Sequence, residues 1–306
     1  MTRSTTATRV ALFTLLAIII SLPLKSQVSD KFEMLDIFNL EYISDPQISP
    51  DGMRIIYVRN FSDIMTDKGL SNLWMVNFDG TNNRPLTTGE QSDRSPVWSH
   101  DGKKIVYFSN KSGETELYLK WMDSGEEQVI VNSEKSPSGV KWSPDDRYLA
   151  FSMFVGTTKV SPIKMPAKPA GAVWNAPPKY IDNLNWRSDG VGELPSGNQQ
   201  LFTVPATGGT PRQLTDTPFN HSNPEWGKDG KHLYFSANMR EDAEYESQDS
   251  DLYSLSIADG KLTKLTNRYG PDGNPKISPD GKKIAYIGYD DNCLGVPPVA
   301  GTVNNC

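Results

Sequence analysis

The sequence has 306 residues, a net charge of −6 and two cysteines. An acidic chain without a basic stripe has no general attraction for nucleic acid, which excludes a phosphate-tracking surface. Cys293 and Cys306 fall within the last 14 residues and form no C-x-x-C pair, so they neither staple the body of a fold nor make a zinc site; pairing with each other, a free thiol and intermolecular pairing all stay open.

Arg3 and Arg9 give a positive n-region ahead of a mainly apolar run of 13 residues at 10–22. That is shorter than the ~20 residues needed to span a bilayer. With Pro23 and small Ser26 following, it predicts a signal peptide over 1–26 and a mature chain starting at Gln27. Export to the periplasm or the extracellular space is expected, with membrane contact only through that peptide; an uncleaved anchor is the alternative. Losing Arg3, Arg9 and Lys25 would take the net charge to −9. A short helical piece is expected near 33–42, and everything after it reads as strand.

Five segments repeat: PQISPDGMRIIYV (46–58), PVWSHDGKKIVYF (96–108), GVKWSPDDRYLAF (139–151), PEWGKDGKHLYF (224–235) and PKISPDGKKIAYI (275–287). Their turn aspartates, Asp51, Asp101, Asp145, Asp229 and Asp280, are 50, 44, 84 and 51 residues apart. Three of those intervals match the ~40–50-residue period of propeller blades, and the long one requires an insertion, placed at about 156–198. In each copy a strand enters an S-P-D-G type turn, where Pro presets φ, Asp bonds back to the backbone and Gly takes a conformation other side chains resist. Asp146 replaces that Gly in the third copy, and His100 replaces Pro in the second. The following strand alternates, as in Ile105, Tyr107 and Ser109, which marks a half-buried strand.

A second hairpin follows four times, at 72–87, 116–131, 200–215 and 251–266, three of them ending in Leu-Thr. Two hairpins make one four-stranded blade. The predicted fold is therefore all-β, a β-propeller over 27–290 with about four complete blades and one partial, incompletely closed. The tail at 291–306 diverges, with two prolines and no second hairpin. The core is expected to hold Ile56, Val58, Trp74, Val76, Trp98, Val106, Phe108, Leu117, Leu119, Trp142, Leu149, Phe151, Phe202, Trp226, Phe235, Leu252, Leu255 and Ile284.

The runs MLDIFNLEYISDPQISPDGMRIIYVRN (34–60), LWMVNFDGTNNRPLTTGEQSDRSPVWSHDGKKIVYFSN (73–110) and RQLTDTPFNHSNPEWGKDGKHLYFSANMREDAEYESQDSDLYSL (212–255) resemble the prolyl oligopeptidase family of serine peptidases. The resemblance is to its acylaminoacyl-peptidase and dipeptidyl-peptidase branch and covers roughly residues 34–290. The repeat alone is shared with the Tol-system periplasmic propeller. The peptidase resemblance implies a propeller that caps an α/β-hydrolase domain and admits peptides rather than folded proteins. Because the hydrolase follows the propeller in that family, it also implies that this chain is truncated ahead of its catalytic part.

The residues themselves offer no catalytic, cofactor or metal site. No Ser has Gly at both −2 and +2, so the G-x-S-x-G nucleophile elbow is absent from the sequence. Of three histidines, His100 belongs to a blade turn, His232 opens a strand, and His221 reads as a solvated residue between blades. Asp249, Asp251 and Glu246 lack the glycine-turned loop of a calcium site, and the acidic run 240–251 reads as a solvated connection between second and third strands. Glu126-Glu127 is similar to the paired glutamates that hold a substrate N-terminus in some dipeptidyl peptidases, but it falls in a hairpin turn. The insertion carries Trp174, Tyr180 and Trp186 among six prolines, suiting either a peptide- or domain-facing surface or the cover of a blade edge. The function expected is the non-catalytic, gating propeller of an exported exopeptidase. The alternative is a stand-alone propeller that binds a protein partner.

Overall fold

The structure, a computed structural model, describes residues 31–132, 135–158, 162, 165–176 and 178–289. The predicted signal peptide, the divergent tail and both cysteines lie outside the described residues. The chain divides into two units, 1–40 and 41–306. In the first, Met34–Asn39 forms a 3-10 helix. At its start the Glu33 N–H donates to the Asp36 carboxylate at 2.8 Å, while the Asp36 N–H closes the first helical bond on the Glu33 carbonyl at 3.0 Å.

The second unit is built of antiparallel sheets in chain order. The first contains β1 (Tyr42–Ile48), β2 (Arg54–Asp63), β3 (Lys68–Asn77) and β4 (Arg84–Pro85). The second contains β5 (Asp93–Trp98), β6 (Lys104–Ser109), β7 (Glu116–Trp121) and β8 (Glu127–Val131). The third starts with β9 (Ser138–Trp142) and β10 (Tyr148–Gly156). The insertion follows, with a ribbon of β11 (Arg187–Ser188) and β12 (Gly192–Glu193), before β13 (Gly197–Pro205) and β14 (Arg212–Gln213) complete the sheet. The fourth contains β15 (His221–Trp226), β16 (His232–Ala237), β17 (Asp251–Ser256) and β18 (Leu262–Lys264). The fifth has two strands among the described residues, β19 (Asp272–Ile277) and β20 (Ile284–Gly288). These are four complete propeller blades and a partial fifth. Each sheet packs on the next, and among the described residues no packing of this kind joins the fifth to the first.

Local chemistry explains why the repeat folds this way. Ser49, Ser99, Ser143 and Ser278 each donate their hydroxyl to the turn aspartate two residues on, at 2.5–2.6 Å, and in all four turns the same oxygen accepts the N–H five residues on, at 2.9–3.0 Å. Gly227 holds that place in the fourth copy, where a Cβ would stand 2.8 Å from the Asp229 carboxylate. His100 and Asp146 depart from the repeat together. Asp146 accepts the His100 and Asp101 N–H groups at 2.9 and 3.0 Å and the His100 ring at 2.7 Å. A proline at 100 would have no N–H to give.

A further regularity was not read from the sequence. Asp45, Ser95, Gly139, Asn223 and Asn274 all have positive φ, 49–63°. Each sits at a slip in the pairing of a blade's first strand, a β-bulge that bends that strand. Asn, Asp and Gly tolerate this conformation best.

Three apolar cores fill the first three junctions. Ile56, Val58, Leu73 and Met75 meet Trp98, Ile105 and Tyr107; Val106, Phe108, Leu117 and Leu119 meet Trp142, Leu149, Phe151 and Phe202; Ala150 and Leu201 meet Trp226, Leu233 and Phe235. The predicted half-buried second strand is therefore corrected: Ile105 through Ser109 are buried on both faces, because a blade has a neighbour on each side. Fifteen of the eighteen expected core residues are buried. Trp74, Val76 and Ile284 are only partly so. Leu73 and Met75 take the buried places in β3, since they face the second sheet while Trp74 and Val76 face away from it.

Candidate functional surface

In an antiparallel meander, the connection between second and third strands emerges at the end where the first strand begins. The insertion (between β10 and β13) and the acidic loop (between β16 and β17) therefore share one end of their sheets. They touch there: the Leu184 N–H donates to the Glu244 carboxylate at 2.5 Å. Trp174, Tyr180 and Trp186 are 43, 42 and 40% exposed, so each leaves part of its ring to solvent. Val173, Leu184 and Tyr245 are exposed beside them.

Most of the acidic run is exposed, as expected of a solvated connection, but two of its carboxylates are not. Asp249 is buried, accepts the Gly270 N–H at 2.8 Å and pairs with Arg240 at 2.5 Å. Asp251 is buried and pairs with Lys264 at 2.6 Å. Asp272, at the start of β19, is buried against Arg268. Glu246 is exposed. Each of these three buried acids has its own cation, and among the described residues no group of three or more His, Cys, Asp or Glu is placed to hold a metal ion.

His221 overturns its reading as a solvated residue. It begins β15, is fully buried and packs at a tilt of 57° against Phe235, with ring centroids 4.9 Å apart. Thr215 accepts the Leu201 N–H and donates to Gln200 Oε1 at 2.8 Å, so its hydroxyl proton is spent. It can only accept from His221 Nδ1, 2.8 Å away, which leaves Nε2 to accept from the Thr217 hydroxyl at 3.0 Å. The ring is thereby held as one neutral tautomer, and burial pushes its pKa down to about 4. With two threonines as partners it has neither nucleophile nor orienting carboxylate. Its position, five residues before Trp226, matches that of Asp93 before Trp98 and Asp272 before Ile277; extending the repeat alignment upstream would have marked it. His232 opens β16 and bonds Asp229 at 2.7 Å, as expected of a structural residue.

Glu127 opens β8 rather than lying in the turn. Burial alone would raise its pKa, but hydrogen bonds from Lys111, from Lys120 at 2.9 Å and from the Tyr107 hydroxyl at 2.8 Å outweigh this and hold it near 2. It lines a cavity of about 380 Å³ with those three groups. A carboxylate already held by two ammonium groups has little left to offer a substrate amine.

Residues 37–165 match the TolB beta propeller domain family. The chain is 29% identical over 221 residues to the uncharacterized peptidase YuxL of Bacillus subtilis, covering 72% of this chain and 33% of that one. It is 27% identical over 269 residues to dipeptidyl-peptidase 5 of Porphyromonas gingivalis, covering 82% and 38%. Among solved structures, an acylaminoacyl peptidase in complex with Z-Gly-Gly-Phe-chloromethyl ketone superposes with a TM-score of 0.60 at 16% identity, over 81% of this chain and 35% of that one. The chain thus spans about a third of the length of the relatives it matches. Over residues 37–165 the chain is similar to the TolB beta propeller domain family, and over most of its length it is similar in sequence to peptidases and in fold to acylaminoacyl peptidase.

Proposed function

We propose that this chain is the non-catalytic propeller of an exported serine exopeptidase acting on peptides, where it gates access to a hydrolase domain. The observation that carries the reading is the match to dipeptidyl-peptidase 5, which takes in 82% of this chain and 38% of its relative. The end of the sheets where the insertion and the acidic loop meet, with its part-exposed aromatics, is the surface that would face a hydrolase or an incoming peptide. Export is supported by the apolar run at 10–22 that follows Arg3 and Arg9. A stand-alone propeller that binds a protein partner is the second reading, favoured by the TolB-type match at 37–165.

The purified 306-residue chain is expected to show no turnover of aminoacyl or dipeptidyl chromogenic substrates, having no nucleophile elbow. An antibody to the propeller should precipitate, from source cells, a dipeptidyl hydrolase that a serine-directed fluorophosphonate abolishes. Precipitation of the propeller without such activity would overturn the peptidase reading and favour the second. Mass spectrometry of the mature protein should find Gln27 at its N-terminus; retention of Met1 would refute cleavage.

A further inference from the structure

The cavity beside Glu127 draws its walls from two sheets. Tyr107 comes from β6, Lys111 from the β6–β7 connection and Lys120 from β7, while Thr88 and Gln91 come from the β4–β5 connection. Both sheets are complete, and an apolar core fills the junction between them. The polar groups around the cavity are therefore carried on packed elements, as a binding site requires.

Inside it, donors outnumber acceptors. The Lys120 ammonium donates to Glu127 Oε1 at 2.9 Å and to the Gly125 carbonyl at 3.2 Å, which leaves one of its three N–H groups over. The Lys111 ammonium donates to Glu127 Oε2 and lies 3.9 Å from the Tyr118 ring centroid. One N–H meets the carboxylate and one the ring face, so a third is left here too. Tyr107 spends its proton on Glu127 at 2.8 Å, and Thr88 adds a hydroxyl.

The charges are also uneven. Lys111, Lys120 and Glu127 are the charged groups of the lining, so it carries one net positive charge. Two further acids lie near but do not line it: Glu116 accepts from Ser112 and Tyr118 at 2.7 and 2.6 Å, and Asp93 is buried and accepts from Gln91 at 3.1 Å. Only 13% of the Lys120 side chain is exposed, so water competes weakly for its spare N–H.

We propose that this cavity binds a small oxyanion, a carboxylate or a phosphate, which bridges the spare N–H groups of Lys111 and Lys120 and accepts from the Thr88 hydroxyl. Glu127 is then the resident competitor for the two ammonium groups rather than a ligand for a substrate amine.

The test is isothermal titration calorimetry of the 306-residue chain, at fixed ionic strength, with N-acetylglycine, with inorganic phosphate and with neutral N-acetylglycinamide. Saturable binding of at least one anion is expected, with a Kd below about 1 mM, and none of the amide. Which anion binds tells a carboxylate ligand from a phosphate. Lys120→Met keeps the stem and drops the charge, and should weaken binding about tenfold through loss of a charge-assisted bond. Glu127→Gln still accepts from Tyr107 and frees charge on both lysines, so it should tighten binding about threefold. Circular dichroism checks both folds, and the comparison of anion with amide on the unaltered chain decides the matter even if a variant fails to fold. No saturable binding of either anion, equal binding of the amide, unchanged binding by folded Lys120→Met, or loss of binding in folded Glu127→Gln would each overturn the proposal.

Discussion

The junction between the second and third sheets and the junction between the fourth and fifth are built from different materials. The former is a continuous apolar core, with Phe108, Leu119, Trp142 and Phe151 almost fully buried. The latter is crossed by polar contacts: Lys276 with Glu225 at 2.7 Å, the Asp272 N–H on the Ser250 carbonyl at 2.7 Å, and Gly270 on Asp249. Even the shared tryptophan device stops there. Trp98, Trp142 and Trp226 each donate Nε1–H at 3.2 Å to the preceding sheet, on the carbonyls of Gln47, Val97 and Lys141, while the fifth sheet has Ile277 in that place. Apolar burial stabilises roughly in proportion to area, whereas partly buried ion pairs add little net stability. The difference teaches that one repeat can specify strongly and weakly held blades by changing a few junction residues, and that the fifth sheet is placed by polar contacts.

The comparison is best broken by truncation. Phe151→Ala should destabilise by about 3–5 kcal/mol, from lost transfer and the cavity left, while Ile284→Ala in the fifth sheet should cost under about 1 kcal/mol. Urea unfolding of both decides it; equal costs would mean the fourth junction is as strong as the second.

Acid should reach the third junction through His221. Its folded pKa of about 4 lies below the ordinary 6.5, so the unfolded chain takes up the proton first as pH falls. Stability should drop between about pH 6.5 and pH 4, by about 3 kcal/mol in total, and stay level in this respect at higher pH. Stability curves of the chain and of His221→Gln should converge on the acid side; parallel curves would show that another group carries the loss.

The tryptophans offer a matched pair of smaller effects. Trp142→Phe should cost about 1–2 kcal/mol by removing the bond to Val97, and Ile277→Trp should return up to about 1 kcal/mol if its indole reaches the Glu225 carbonyl. A loss on Ile277→Trp would show that the fourth junction cannot accept the device. Smallest is Asp146→Gly, which relieves a positive φ of 54° but strands the His100 N–H; the two should cancel to within about 0.5 kcal/mol.

The strand order and the turns were legible because they rest on local chemistry. Asp51, Asp101, Asp145, Asp229 and Asp280 recur at blade spacing, and each bonds backbone within two residues. The Leu-Thr endings were visible as pattern, but their purpose was not: Thr87, Thr215 and Thr266 accept the N–H groups of Leu73, Leu201 and Leu252 at 2.9 Å, bonds that span 14 residues. His221 was misread because a histidine followed by Ser-Asn-Pro looks like a loop, and nothing local reveals that Phe235 covers it.

The sequence by itself determined the repeat, the all-β class, the turn chemistry and the want of a nucleophile elbow, because each depends on residues close together in the chain. Only the tertiary structure decided which face of β3 is core, that β6 is buried on both sides, and that the insertion and the acidic loop meet at one end. Those facts depend on what the neighbouring sheet presents, and a blade's pattern of alternation is the same whether or not a neighbour covers it.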